Sequence, residues 1–125
     1  MPTVLVTGGA GSMGRQVCAR LALDGHAVKA FDLATANFAD LPQGVVAFPG
    51  DLTSVEDVQA AVEGVDAVVH LAAILPPVAN ELIELTQRVN VGGTQIIVDA
   101  IKSNAPKARL VFSSSVSVYG TQMSD

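Results

Sequence analysis

The chain has 125 residues, half of them hydrophobic and 15% charged, which excludes a disordered polymer and suits one domain with one core. A net charge of −5 and a pI near 4.7 oppose binding to nucleic acid or an anionic membrane, so any phosphate site must be local and built from backbone. The one cysteine, Cys18, can form no intrachain disulfide, which fits a reducing compartment.

The N-terminus has no basic start of a signal peptide and passes straight into a predicted strand over residues 3–6. Glycines follow at positions 8, 9, 11 and 14. Gly9, Gly11 and Gly14 meet the pattern G-x-G-x-x-G, and Gly8, Gly11 and Gly14 meet G-x-x-G-x-x-G. A helix is predicted from 12 to about 24, with Met13, Val17 and Leu21 at helical spacing and Gly25 as the stop. A second strand over 27–31 ends at Asp32, which lies 18 residues after Gly14. This order of strand, glycine turn, helix, strand and acid points to nucleotide binding. Phosphate needs backbone N–H groups at close range, and a turn without side chains admits it. A helix starting at Ser12 turns its unbonded N–H groups and positive dipole end to the same place.

Residues 33–44 are polar, Ala-rich and predicted to be irregular. A third strand covers 45–48 and leads to Gly50-Asp51. Thr53 or Ser54 can cap a helix running to about 63, with Glu56 and Asp57 in its first turn and Gly64 at its end. A fourth strand is predicted over 67–71. The most apolar window, 67–79, is too short to span a bilayer and contains His70 and Pro76-Pro77. A long helix is predicted over 78–104, stopped by Pro106, and a fifth strand over 109–112. Strands four and five read as nearly continuous apolar runs, which expect cover on both faces. Five short strands with helical crossovers predict an α/β fold with a doubly wound parallel sheet, Rossmann-type, in the order 3-2-1-4-5 and cut after strand five. The first helix lies on one face and the others on the opposite face. Ligand is expected beyond the strand ends, at Gly8, Asp32, Asp51, 71–73 and 113–115.

The motifs TGGAGSMG at 7–14, FD at 31–32, GDL at 50–52, HLAA at 70–73, VNVGGT at 89–94 and SSSVSVYG at 113–120 occur in this order. By these motifs the chain resembles the extended branch of the short-chain dehydrogenase/reductase superfamily, the NAD-dependent epimerase/dehydratase family, along nearly its whole length. The resemblance implies a pyrophosphate cradle at Gly8, Gly11 and Gly14 with the N–H groups of Ser12 and Met13. It implies that Asp32, followed by Leu33, takes the adenosine ribose hydroxyls; a carboxylate there repels a 2′-phosphate and favours NAD over NADP. Asp32 as a plain turn residue is the alternative. Asp51 and Leu52 are implied at the adenine, with Asp51 alternatively only a helix cap. Leu71, Ala72 and Ala73 are implied under the nicotinamide-side ribose, or serve as plain core. Ser115 is implied as the catalytic serine and Ser113 as its neighbour nearer the cofactor, against a polar loop as the bland reading. Asn90 is implied as a support of the site, against a simple helix irregularity. His70 is expected to hydrogen-bond within the fold; it has no second His or Cys at ligand spacing, so no metal site is expected.

The family's acid/base is a later Tyr with a Lys four residues on, where the Lys lowers the Tyr pKa. Tyr119 is the only tyrosine, position 123 is Met, and every lysine precedes it. Tyr119 belongs to the V-Y-G segment and is not taken for the base. The expectation is an incomplete NAD-binding domain over 1–125, the N-terminal part of an enzyme whose substrate-binding part lies elsewhere. The parent would transfer hydride to or from a sugar nucleotide or similar secondary alcohol, and these residues alone would not turn over. The competing reading is a non-catalytic dinucleotide-binding or redox-sensing module. A cytoplasmic, soluble protein is expected, with a homodimer or higher oligomer formed through the sheet face or edge left uncovered at strand five.

Overall fold

The computed structural model describes residues 2–39, 41–71 and 92–112. In chain order these form β1 (Thr3–Thr7), α1 (Ser12–Leu23), β2 (Ala27–Asp32), β3 (Val45–Pro49), α2 (Val55–Val62), β4 (Ala67–His70), α3 (Gly93–Asn104) and β5 (Arg109–Phe112). All four strand pairings are parallel and the sheet order is β3-β2-β1-β4-β5, as the crossover argument requires. The strands differ from the sequence reading by one residue at several ends. The described part of 33–44 holds turns only. Of the long helix predicted over 78–104, the described part is α3; 78–91 lies outside the described residues.

Alternation along β1 explains the layering. Val4 and Val6 point to one face, where they join Cys18 of α1 together with Val28 and Ala30 of β2. Leu5 points to the other, where it meets Phe31, Val58, Ala61 and Val62 of α2, and Ile97 and Ala100 of α3. Both faces of β1 are thus dry, as expected of a parallel sheet with helices on each side. The edges differ. Val46 on β3, and Leu110 and Val111 on β5, are exposed, so the expected cover on both faces does not reach β5 among the described residues.

The first helix also differs in phase from its apolar spacing. Met13 is 61% exposed, whereas Gly14 and Cys18 are buried. The reason is steric: α1 packs on the sheet through its smallest residue, not its first large apolar one. Gly93 does the same for α3. A Cβ there would lie 2.7 Å from Cδ2 of Leu52, so the missing side chain lets α3 close on the segment after β3.

One cation braces the second layer. Lys29, on β2, donates from Nζ to the carbonyls of Ala61 and Glu63 and lies over the Phe48 ring. These carbonyls belong to the last turn of α2 and its cap, where helical acceptors are left over and positive charge is favoured. Replacing Lys29 with Met keeps the stem and removes the donor. The expected loss is about 1 kcal/mol of stability, read as a lower urea midpoint with unchanged slope; an unchanged midpoint contradicts the brace.

Candidate functional site

At the carboxyl end of the sheet the chain turns from β1 into α1 through four glycines, and three of them have reasons internal to the fold. Gly8 has φ +70°, which L side chains rarely adopt. A Cβ on Gly9 would lie 2.7 Å from Cβ of Ala30, on the neighbouring strand. A Cβ on Gly14 would lie 2.0 Å from the carbonyl oxygen of Gly8. Gly11 is different. Its φ of −77° and ψ of 175° suit any residue, and a Cβ there would meet only the Gly8 oxygen at 3.4 Å. Among the described residues neither backbone nor packing asks for glycine at 11.

Gly11 is also the N-cap of α1, and it has no side chain to accept from the first-turn N–H groups. The contrast with α2 is informative. There Ser54 caps the helix by accepting from the Asp57 N–H, and Glu56 and Asp57 lie in the first turn. The first turn of α1 holds no acid. Its donors at Ser12, Met13 and Gly14 lack intrahelical acceptors by the geometry of any helix start. An uncapped, acid-free helix start behind a glycine turn is a place for an anion.

Asp32 ends β2 beside this turn. One carboxylate oxygen accepts from the Ala10 N–H at 3.1 Å, the other from the Leu33 N–H at 2.9 Å. It is therefore held by the glycine turn, not loose at a strand end. Leu33 is half exposed next to it. On the far side, Asp51 accepts from the N–H and hydroxyl of Thr53, and its own N–H donates to Asp57. The helix cap is Ser54, so the alternative role considered for Asp51 is not the one it plays. Leu52 is buried against Gly93 in the core.

A second cluster lies where β1 meets β4. The Thr7 hydroxyl is 2.7 Å from Nδ1 of His70 and accepts from the Leu71 N–H; Nε2 of His70 is 3.0 Å from the Thr94 hydroxyl on α3. His70 is a buried internal partner, and burial lowers its pKa, so it stays neutral. Among the described residues no group of His, Cys, Asp and Glu could hold a metal. No helix among them is long and apolar enough to cross a membrane.

The structure thus brings Gly8, Gly11, Ser12, Met13, Gly14, Asp32 and Leu33 to one rim. Asp51 and Leu71 follow the ends of β3 and β4. Ala72, Ala73, Asn90, Ser113 and Ser115 lie outside the described residues. Two polar residues escaped the sequence reading. Thr7 looked like the end of an apolar run. Arg15 has no role in the sequence reading, although a cation in a first turn opposes the helix dipole and is a signal in itself. Its guanidinium donates to the carbonyls of Ala10, Asn37 and Ala39.

A profile of the NAD dependent epimerase/dehydratase family matches residues 4–125. A 3 beta-hydroxysteroid dehydrogenase/Delta 5-->4-isomerase of Mycobacterium tuberculosis is 39% identical over 120 residues, which cover 92% of this chain and 32% of that protein. A human sterol-4-alpha-carboxylate 3-dehydrogenase, decarboxylating, is 38% identical over 113 residues, 90% of this chain and 29% of that protein. Among solved structures, a UDP-glucose 4-epimerase from Brucella ovis in complex with NAD superposes with a TM-score of 0.86 at 30% identity, covering 97% of this chain and 38% of that one. The chain spans about a third of the length of the relatives it matches.

Cys18 lies under the glycine turn, its Sγ 4.0 Å from the Gly9 carbonyl, and is fully buried. Burial pushes the thiol up to about 11, with the charge of Arg15 opposing. The folded chain therefore holds this proton more tightly than the unfolded one. The stability it contributes is intact below pH 9.0, the ordinary value, and is lost as pH rises toward 11. An aromatic disulfide reagent at pH near 8 is expected to leave Cys18 unmodified in the native chain and to react at once in urea. Rapid native reaction would contradict a sealed turn.

Proposed function

This chain belongs to the NAD-dependent epimerase/dehydratase family, and from that premise we propose that residues 1–125 are the NAD-binding part of an oxidoreductase of epimerase/dehydratase type. One observation carries the reading. Among the described residues nothing requires glycine at 11, and it borders uncapped N–H groups. An external group that must approach the backbone closely, and that accepts hydrogen bonds, accounts for both. The pyrophosphate of a dinucleotide is such a group.

In this reading Gly8, Gly11 and Gly14 shape the cradle, and the N–H groups of Ser12 and Met13 hold the phosphates. Asp32 takes the adenosine ribose hydroxyls and disfavours a 2′-phosphate by like charge. Leu33, Asp51 and Leu52 border the adenine end, and Leu71, Ala72 and Ala73 the nicotinamide end, with Ser113 near it. When bound, NAD supplies a hydride acceptor. Ser115, supported by Asn90, would hold the substrate oxygen. The proton of that hydroxyl needs a base, and these 125 residues contain no Tyr-x-x-x-Lys. We therefore propose that they bind cofactor and do not turn over alone. Substrates named for the relatives include hydroxysteroid, sterol carboxylate and UDP-glucose. These support a secondary alcohol as the substrate class, whether on a sugar nucleotide or a sterol-like ring.

We further propose a cytoplasmic setting and self-association over β5. The exposure of Leu110 and Val111 on an edge strand supports the latter. Sedimentation at micromolar concentration is expected to give a dimer; a clean monomer removes that element and leaves the cofactor reading standing.

Calorimetric titration tests the cofactor reading. Wild-type chain is expected to bind NAD at least about tenfold more tightly than NADP. Gly11→Ala is expected to fold, since its Cβ clears the Gly8 oxygen at 3.4 Å, and to weaken NAD by at least about tenfold. Asp32→Asn is expected to erase the preference between the two cofactors. Full NAD affinity in a folded Gly11→Ala chain overturns the reading, and tighter NADP in the wild type overturns the role of Asp32.

A further inference from the structure

Arg15 occupies a position that electrostatics disfavours. It is in the first turn of α1, where the helix dipole is positive, and no described carboxylate forms an ion pair with it. Its guanidinium instead makes three bonds to main-chain oxygens. Nε donates to the Ala10 carbonyl at 2.9 Å, one terminal nitrogen to Ala39 at 2.9 Å, and the other to Asn37. A rigid planar fork is suited to gathering three acceptors, and a Lys is not.

The acceptors are what matters. Ala10 lies in the glycine turn and is gripped from both sides, its N–H by the Asp32 carboxylate and its C=O by Arg15. Asn37 and Ala39 belong to the segment that leaves Asp32. That segment is folded by two local turns, with the Ala36 N–H on the Leu33 carbonyl and the Ala39 N–H on the Asn37 side chain. The bonds and the chain close a ring: Asp32 to Ala10, Ala10 to Arg15, Arg15 to Asn37, and back along the backbone to Asp32. Leu41, just beyond, packs into the core under α1 and anchors the far end.

We propose that Arg15 is a positioning residue for the adenosine half of the dinucleotide. It latches residues 33–39 to the glycine turn and so fixes the Asp32 carboxylate and the wall beside it. The role rests on the dinucleotide reading above. Arg15 acts through the backbone it holds, since its donors face carbonyls of its own chain. Without the latch, Asp32 keeps its charge and loses its fixed orientation, and the ribose must order the wall as it binds.

Two measurements on the 125-residue chain, wild type against Arg15→Gln and Arg15→Lys, test this. Hydrogen exchange without nucleotide is expected to speed up at the Leu33, Ala36 and Ala39 amides in Arg15→Gln, while β1 and α2 are unchanged. Calorimetry at 25 °C is expected to show NAD and ADP-ribose weakened by the same factor, about tenfold, with the same ratio at low and high salt. Arg15→Lys is expected to recover only part of it. A purely structural arginine would lower the melting temperature and leave both affinities unchanged below it, which overturns the proposal. A ratio that shrinks with salt would assign Arg15 a direct charge contact and also overturns it. Unchanged exchange at 33–39 in either variant removes the latch. If wild type binds neither NAD nor ADP-ribose, the dinucleotide reading itself falls and takes the positioning role with it. Normal wild-type binding with unaltered variants overturns the positioning role alone.

Discussion

The approach of Gly14 to Gly8 is the contact on which the site depends. With 2.0 Å between the Gly8 oxygen and any Cβ at 14, no L side chain fits without moving one backbone off the other. That closeness packs the start of α1 against the turn that leaves β1, with only residues 8–11 between strand and helix. Its first-turn donors then face the space past the carboxyl edge of the sheet. Gly8 supplies the turn through its positive φ, and Gly9 presses the loop against Ala30 of β2. Three glycines thus join strand, helix and second strand into one block. A site made of main-chain donors must be rigid, because peptide dipoles that can rotate give back what they offer.

Burial on both sheet faces supplies that rigidity. Leu5, Val6, Val28 and Val68 are essentially inaccessible to solvent. The strands beneath the rim cannot shift without disturbing two cores at once. At the rim itself, polar side chains take over from apolar packing. Asp32 ties β2 to the turn, and Thr7 and His70 tie β1 to β4 and onward to Thr94 on α3. Burial lowers the pKa of this imidazole below its usual value, so this tie does not depend on charge at neutral pH.

Much of this was legible in the sequence because the fold obeys local rules there. Alternating strands and helices, with the crossover rule, led to the sheet order found. The acid after the second strand lies beside the glycine turn. Ser54 and the first-turn acids marked α2. The failures share a cause. Met13 was grouped with Val17 and Leu21 by spacing, yet α1 rests on Gly14, a residue without a hydrophobic signal. The packing of Leu52 against Gly93, forty-one positions later, has no local signal, whatever Leu52 also borders. Arg15 was invisible because its partners are carbonyls, and every residue has one. Side-chain identity cannot announce a contact to the main chain. What could have flagged Arg15 was its position, a cation where a helix disfavours one.

That misplaced cation bears on how an acidic chain holds an anion. With a net charge of −5, the long-range field works against the ligand. Attraction must come from within a few ångströms, where screening by water is weak. The first turn of α1 supplies its dipole there, free of the acids that decorate α2. Asp32 adds a negative charge at one end of the same rim, which on the proposed reading faces hydroxyls and not phosphates. Between these two regions the Arg15 guanidinium donates to main-chain carbonyls. It contributes positive potential near the turn while its hydrogen bonds hold the protein. A bare lysine at 15 would offer the same charge, but as a mobile point that could pair with Asp32 and close the ribose position. Fixing the cation to the backbone keeps it off the acid. On the proposed reading, sign and geometry are separated in this rim: the main chain would receive the phosphate, and the carboxylate would select what lies beside it.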